Sequence, residues 1–272
     1  MKLRELFRAE ERGAIEKWCR AHTQQVYLGD HTALCRVLGQ FLMYVDTRDL
    51  SLAPHLLLSG FWETWVTQAI AQYVQPGMHC IDVGANVGYY TLLLKDLAGD
   101  KGSVVAYEPQ AAAFELLVQT LLVNGGGGCI QSAASDQEEM SRLFTSQIGL
   151  MGSASLRHSQ GLDGPTEIVN RVRLDRLHPD PVDFVKIDAQ GHELQVLRGM
   201  SGILERSSKI AIAVEFTPED HEDPRAALLE IQEMGFPALR SIGTDGVVRP
   251  VSLEEALVPD TGDHRMLWLQ KG

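Results

Sequence analysis

The chain has 272 residues, 44% of them hydrophobic, and a formal net charge of −12 at pH 7. That length can bury the core of one α/β domain with an appendage; the acidic balance argues against a nucleic-acid substrate, because sequence-independent grip on DNA or RNA comes from basic patches; and no apolar run is long enough to span a bilayer. Cys19, Cys35, Cys80 and Cys129 form no Cys-x-x-Cys pair, which points to reduced thiols without structural zinc, and the mixed charges of Met1 to Glu11 lack the hydrophobic segment of a secretion signal, so a cytoplasmic location is expected.

In chain order, residues 1–45 read as helical, with an interruption around Tyr27-Leu28-Gly29-Asp30. The segment 1–58 is too short for a large core of its own and is expected to serve as a cap on the main domain or as a homodimer surface. A helix over 59–75 follows, with Phe61, Trp62, Trp65, Ile70 and Tyr73 giving it a mixed apolar face, and Pro76-Gly77 ends it. The main domain, 59–272, then alternates: strand 79–83, helix 87–97, strand 103–107, helix 110–123, strand 128–133, strand 183–187, helix 191–205, strand 209–215 and helix 224–234. Strands separated by helices predict a parallel sheet with helices on both faces. Residues 136–180 interrupt this rhythm and read as an inserted hairpin or lid on the substrate side, or as a plain surface excursion. The run Gly125 to Gly128 lies before a strand, where a flexible connection is the simplest reading.

Residues 80–91 carry the first chemical signal. An apolar strand runs into a turn containing Gly84, Ala85 and Gly88, and a helix beginning near Asn86 aims backbone N–H groups at any ligand there. The pattern is Gly-x-x-x-Gly, with Asp82 in the turn, and not the Gly-x-Gly-x-x-Gly of dinucleotide sites. A carboxylate there repels phosphates and attracts an ammonium. S-adenosylmethionine fits that chemistry, since it carries an amino group, a sulfonium and ribose hydroxyls but no phosphate. Glu108, at the end of the next strand and followed by Pro109, lies 26 positions after Asp82, close to the roughly 20-residue spacing of a ribose-binding acid. An ordinary surface turn is the competing reading of either motif alone.

The second signal is Val182 to Glu193. Asp188 ends a strand at the edge where open α/β sheets bind ligands, with Lys186 on the same side of the strand, and the next strand delivers Glu215 to the same edge. Two carboxylates at neighbouring strand tips could hold a divalent ion such as Mg2+, or one could accept a proton while the other positions substrate. His192 reads either as a base or as a surface residue in the first helical turn. Lys186 reads more simply as a paired structural cation, and Glu193 as a complement to the helix N-terminus.

Together, Asp82 to Thr91, Tyr107-Glu108-Pro109, Val172 to Leu177, Asp183 to Glu193 and the strand ending in Glu215 resemble the FkbM-type family of S-adenosylmethionine-dependent methyltransferases, over roughly residues 59–269. Asp46 to Asp49 and Gly60 to Glu63 also resemble segments ahead of that family's cofactor motif. The resemblance implies a class I methyltransferase (Rossmann-like) fold with a mostly parallel seven-stranded sheet, here with an N-terminal helical segment, and most often methylation of a hydroxyl on a sugar or natural product. It implies that Glu63 lies near the methionyl end of the cofactor. On this reading Asp82, Gly84, Ala85, Asn86, Gly88, Glu108 and Pro109 hold the cofactor and Ser132, Ala133 and Ala134 border its adenine. Asp188 or His192 draws off the acceptor's proton, Asp188 also touches the cofactor, and Asp188 with Glu215 forms the metal option. Gln190 and His192 depart from the family, where a glutamate and a small residue are common, and Gln119-Thr120 stands where an asparagine is frequent. A small-molecule or glycan hydroxyl is the expected acceptor. A cofactor-binding protein without catalysis and an NAD-dependent oxidoreductase are the alternatives.

Overall fold

The computed structural model describes Leu3 and residues 12–146, 151–157, 162–259 and 264–272. Its central sheet is built on strands that are apolar on both faces, as parallel strands covered by helices on each side must be. Phe184 to Ile187 (β10) is buried throughout, and Ile210 to Phe216 (β11) nearly so. They stand beside His79–Val83 (β4), Ser103–Tyr107 (β5) and Gly128–Ile130 (β6), and these five strands are parallel. Beyond β11 the strand Arg265–Lys271 (β14) is inserted antiparallel, followed by Arg240–Ile242 (β12) and Val248–Pro250 (β13). The order β13-β12-β14-β11-β10-β4-β5-β6 is therefore the expected mostly parallel sheet with an eighth, short edge strand.

Period-two alternation divides the core between the two faces of this sheet. Phe184, Ala211, Ala213 and Trp268 face the helices Thr64–Tyr73 (α3) and Tyr89–Ala98 (α4), whereas Val185, Ile187, Ile210, Ile212 and Val214 face Glu193–Gly199 (α7), Ser201–Arg206 (α8) and Pro224–Glu233 (α9). No helix among the described residues is long and apolar enough to cross a membrane.

The N-terminal segment is helical only in part, which corrects the reading of 1–45. Arg12–His22 (α1) is a helix, but Gln25–Gly29 (β1), Thr32–Val37 (β2) and Phe41–Asp46 (β3) form an antiparallel meander. Buried and half-buried positions alternate along β2, but its sequence carries the continuous apolar run Ala33-Leu34-Cys35, so no period-two pattern stood against the helical reading. The meander docks on Ala111–Val123 (α5): Tyr44 N–H donates to Thr120 Oγ1 at 3.1 Å, and Leu42 N–H donates to Asn124 Oδ1 at 3.2 Å while the Asn124 amide returns a bond to the Leu42 carbonyl. Thr120 is thus committed to holding the meander.

Other boundaries shift for local reasons. The helix expected over 59–75 begins only at Thr64 (α3) and is preceded by a separate short helix, Ala53–Ser59 (α2); Gly60 and Glu63 between them both take left-handed φ. Strand 128–133 stops at Ile130, and Ala133–Ala134 (β7) joins a small second sheet with Met140–Phe144 (β8) and Thr166–Val172 (β9). Residues 136–180 therefore contain an antiparallel pair, β8 with β9, in the register Phe144 to Thr166 and Met140 to Asn170. The Ile148-Gly149-Leu150 part of that stretch lies outside the described residues. The helix read over 191–205 breaks at Met200 into α7 and α8.

Candidate functional site

The turn after β4 is shaped by close approach of neighbouring strand ends. Gly84 has φ +72°, and a Cβ there would sit 1.8 Å from the Asp188 carbonyl oxygen, so no side chain fits between the tips of β4 and β10. Gly84 and Ala85 N–H both donate to the Tyr107 carbonyl, at 2.9 and 3.0 Å, tying the turn to β5. Asn86 N–H donates to Glu108 Oε2 and Gln110 N–H to Glu108 Oε1, each at 2.8 Å. Burial pushes the Glu108 carboxyl up to about 7, against those two amide bonds.

A cavity of about 350 Å³ opens above these tips. Of the sequence-derived residues, Glu63, Gly84, Ala85, Asn86, Glu108, Pro109, Ser132, Ala133, Ala134, Asp188, His192 and Glu215 lie on its wall, with Lys186 beside them. Asp82 and Gly88 do not. Asp82 is wholly buried behind the turn, where Oδ2 accepts the Thr91 hydroxyl at 2.6 Å and Oδ1 has no hydrogen-bond partner. Its register neighbour on β10 is Lys186. Gly88 instead makes room for Leu117, whose Cδ1 would be 2.7 Å from a Cβ.

The cavity floor is a charge cluster. Lys186, 1% exposed, donates to Asp188 Oδ2 at 2.8 Å, and its Nζ lies 4.9 Å from the centre of the Tyr90 ring. Gln190, held at φ +49°, donates to Asp188 Oδ1 at 2.8 Å and more distantly to Glu215 Oε1 at 3.4 Å. Burial works against an ionised Asp188, but the Lys186 ammonium and the Lys186 and Gln190 hydrogen bonds outweigh it and hold the carboxyl below its ordinary value. Glu215 goes the other way, pushed well up by burial and by the charge of Asp188. Lys186 stays protonated despite its burial, because Asp188 and Asp82 flank it.

Glu63 reaches the cavity through an unusual backbone. It occupies the N-cap position of α3 with φ +34°, yet its side chain makes no capping bond. Instead Tyr90 Oη donates to Glu63 Oε2 at 2.8 Å, and His264 Nε2 lies 3.5 Å from Glu63 Oε1. On the opposite wall His192 is buried, with Nε2 3.0 Å from Ser135 Oγ, and burial with Arg171 nearby lowers it to about 4. Glu193 turns back to accept from Ala189 and Gly191 N–H, at 3.0 Å each. The inserted segment is tied in as well, since Ser155 Oγ donates to the Gln190 carbonyl at 2.6 Å and Gly152, Ser153 and Ala154 line the cavity.

Sequence reasoning missed Tyr90, Trp62 and His264 on this wall. The Tyr89-Tyr90 pair following Gly88 carried a usable signal. His264 carried none without β14, whose antiparallel course no local pattern gave away.

The donor set does not fit a divalent cation. Both Asp188 oxygens already accept from Lys186 and Gln190, burial and the charge of Asp188 disfavour an ionised Glu215, and the Lys186 ammonium occupies the place of the countercharge. Among the described residues no group of three or more His, Cys, Asp or Glu side chains is arranged to hold a metal.

A family model for the methyltransferase FkbM domain matches residues 82–238, more than half of the chain. No curated protein matches. Among solved structures, the chain is similar to an FkbM methyltransferase from Methylobacillus flagellatus KT, at 14% identity and TM-score 0.46 over 76% of this chain and 53% of that one. The chain thus spans about half the length of that protein. It is also similar to a SAM-dependent methyltransferase from Aquifex aeolicus, at 14% identity and TM-score 0.41 over 72% of this chain and 82% of that one. Aeropyrum pernix fibrillarin, solved with natively bound S-adenosyl-L-methionine, matches at 12% identity and TM-score 0.45 over 91% of this chain and 98% of that one. On the strength of the match to residues 82–238, the chain belongs to the FkbM family of S-adenosylmethionine-dependent methyltransferases.

Proposed function

We propose that this protein methylates a hydroxyl on a sugar or natural-product acceptor, with S-adenosylmethionine as the donor. The observation that carries this reading is the convergence of Glu63, Glu108 and Asp188, from three separate elements, on one cavity at the C-terminal edge of the sheet. Its volume of about 350 Å³ suits a small ligand. Glu108 is the ribose-binding group: its two amide bonds fix the carboxyl and leave further lone pairs for hydroxyls. Glu63 and its neighbouring acids balance the cofactor's positive charges, and Ser132, Ala133 and Ala134 border the adenine. Asp82 contributes from behind the wall, by fixing Thr91 at the start of α4.

When bound, the cofactor supplies an electrophilic methyl carbon. The chain's own task is then to hold the acceptor oxygen in line with it and to keep water out, since little covalent chemistry is asked of the protein. Asp188, pinned on both oxygens, orients the acceptor hydroxyl. The same acidic wall disfavours a phosphate-bearing nicotinamide cofactor, and family membership sets the oxidoreductase alternative aside.

Calorimetric titration of folded, ligand-free protein with S-adenosylmethionine and with NADH, followed by a panel of hexoses, deoxysugars and macrolide aglycones monitored by mass spectrometry, tests the proposal. The expected result is binding of the sulfonium compound alone, a product heavier by one methylene, and loss of turnover in Asp188→Ala. Absence of sulfonium binding would overturn it, and binding without transfer to any panel member would reduce the protein to a cofactor-binding role.

A further inference from the structure

Methylation of a hydroxyl releases a proton, and the residues at the strand tips are poorly suited to receive it. Asp188 is held low by the Lys186 ammonium and by its hydrogen bonds from Lys186 and Gln190, which makes it a weak base. Burial and the charge of Asp188 push Glu215 well up and disfavour its ionised form, and His192 is lowered to about 4, which makes it a weak base. Glu108 accepts backbone bonds on both oxygens. Lys186 keeps its proton, and burial pushes the Tyr90 hydroxyl well up. Among the titratable groups named on the wall, this leaves Glu63 and His264, which meet at 3.5 Å.

Its position is well defined by the sheet. β14 runs antiparallel to β11 with Met266 opposite Glu215, and His264, two residues earlier, shares the face on which Glu215 projects. His264 therefore overhangs the tip of β11, and its charge acts on both Asp188 and Glu215. Its ring nitrogen Nε2 lies 3.5 Å from Glu63 Oε1, while Glu63 Oε2 is fixed by the Tyr90 hydroxyl at 2.8 Å. The left-handed backbone of Glu63, in a position where the side chain could have capped α3, is the kind of local strain that accompanies function.

We propose that His264, oriented by Glu63, takes the acceptor's proton during methyl transfer, an inference that rests on the hydroxyl-methylation reading above. The acceptor oxygen forms its bond to the methyl carbon as the carbon–sulfur bond breaks; sulfur keeps that electron pair and becomes a neutral thioether, and the hydroxyl proton passes to the imidazole. Glu63 stabilises the imidazolium so formed, as a carboxylate does behind a catalytic histidine. Both residues lie outside the matched span 82–238, so the pair is assembled from the two ends of the chain around the family's core.

The test has two readouts. In ligand-free protein, the ring protons of His264 are titrated by NMR in wild type and in Glu63→Gln, with Asp188 and Glu215 as the other charged groups facing the ring. The expected midpoint falls by about one pH unit or more when Glu63 loses its charge. In kinetics on the fastest sugar of the panel, His264→Gln and His264→Asn are expected to lower kcat by roughly 100-fold or more and to abolish the acidic limb of the pH profile. S-adenosylmethionine affinity by calorimetry should stay unchanged. An unmoved midpoint in Glu63→Gln, or turnover in both His264 variants within about threefold of wild type, would overturn the proposal. Loss of sulfonium binding by the wild type would instead strike the methyltransferase reading itself, and the ring titration stands even if no sugar is turned over.

Discussion

Lys186 Nζ lies 2.8 Å from Asp188 Oδ2, two residues along the same strand, and on its other side faces the buried Asp82 across the register of β10 with β4. One ammonium therefore serves two carboxylates, one behind the glycine turn and one on the cavity wall. This arrangement explains why the Asp188 carboxyl is held below its ordinary value at a site where Glu215 is pushed well above it. Burial alone would raise both.

Lys186→Met should leave Asp82 and Asp188 as uncompensated buried acids and cost about 3–5 kcal/mol at neutral pH. Urea unfolding measures the loss. Part of it should return on acidification, as the stranded carboxyls take up protons; a variant as stable as wild type at pH 7 would contradict this account.

Gly84→Ala places a Cβ against the Asp188 carbonyl at a backbone angle of φ +72°. At least about 2 kcal/mol of destabilisation is expected, because strand ends and not a flexible side chain would have to move. Thermal unfolding should show a lower midpoint. Gly99→Ala, also at positive φ but with nothing within 4 Å, isolates the backbone contribution from the clash.

Glu108→Gln should weaken S-adenosylmethionine binding by roughly tenfold or more, since an amide donor must then face Asn86 or Gln110 N–H. Turnover at saturating cofactor should change less, because this contact is the same in ground and transition states. Calorimetry and kcat together separate the two. The wild-type carboxyl, raised from 4.5 to about 7, binds its proton more tightly folded than unfolded. Its contribution to stability is therefore full below pH 4.5 and is lost as pH rises through 7.

His192 titrates with the opposite consequence. Its folded value, lowered from 6.5 to about 4, means that the unfolded chain binds the proton more readily. Stability from the neutral, Ser135-bonded ring is complete above pH 6.5 and lost as pH falls toward 4. The loss is about 3 kcal/mol as an order of magnitude. His192→Gln should flatten the stability profile across that window in urea unfolding measured from pH 7 to pH 4; an unchanged slope would show that folding does not lower the proton affinity of this ring.

Much of the architecture was legible because its signals are local. Strands 79–83 and 103–107 fall where the apolar runs end in a glycine turn and in Glu108, and the helices between them follow the alternation expected of a parallel sheet. The meander at 25–46 was misread because β1 exposes Val26, Tyr27 and Leu28, which hides its pairing with β2 in an apolar run that resembles a helix face. β14 was missed because its apolar run, Met266 to Leu269, takes its meaning from insertion between β11 and β12.

By itself the sequence determined which acids stand at strand tips, because two-residue periodicity and a turn place a residue relative to its own strand. Only the tertiary structure decided what each acid does there. Asp82 and Asp188 both read as strand-end acids, yet Asp82 lies inside β4, level with Lys186 and buried behind a threonine hydroxyl, whereas Asp188 follows the end of β10 and faces the cavity. Their charge states follow from distances to Lys186 and Gln190, and the Glu63–His264 contact joins residues from opposite ends of the chain. Electrostatics in a buried site depends on separations of a few ångströms in space, which sequence distance does not encode.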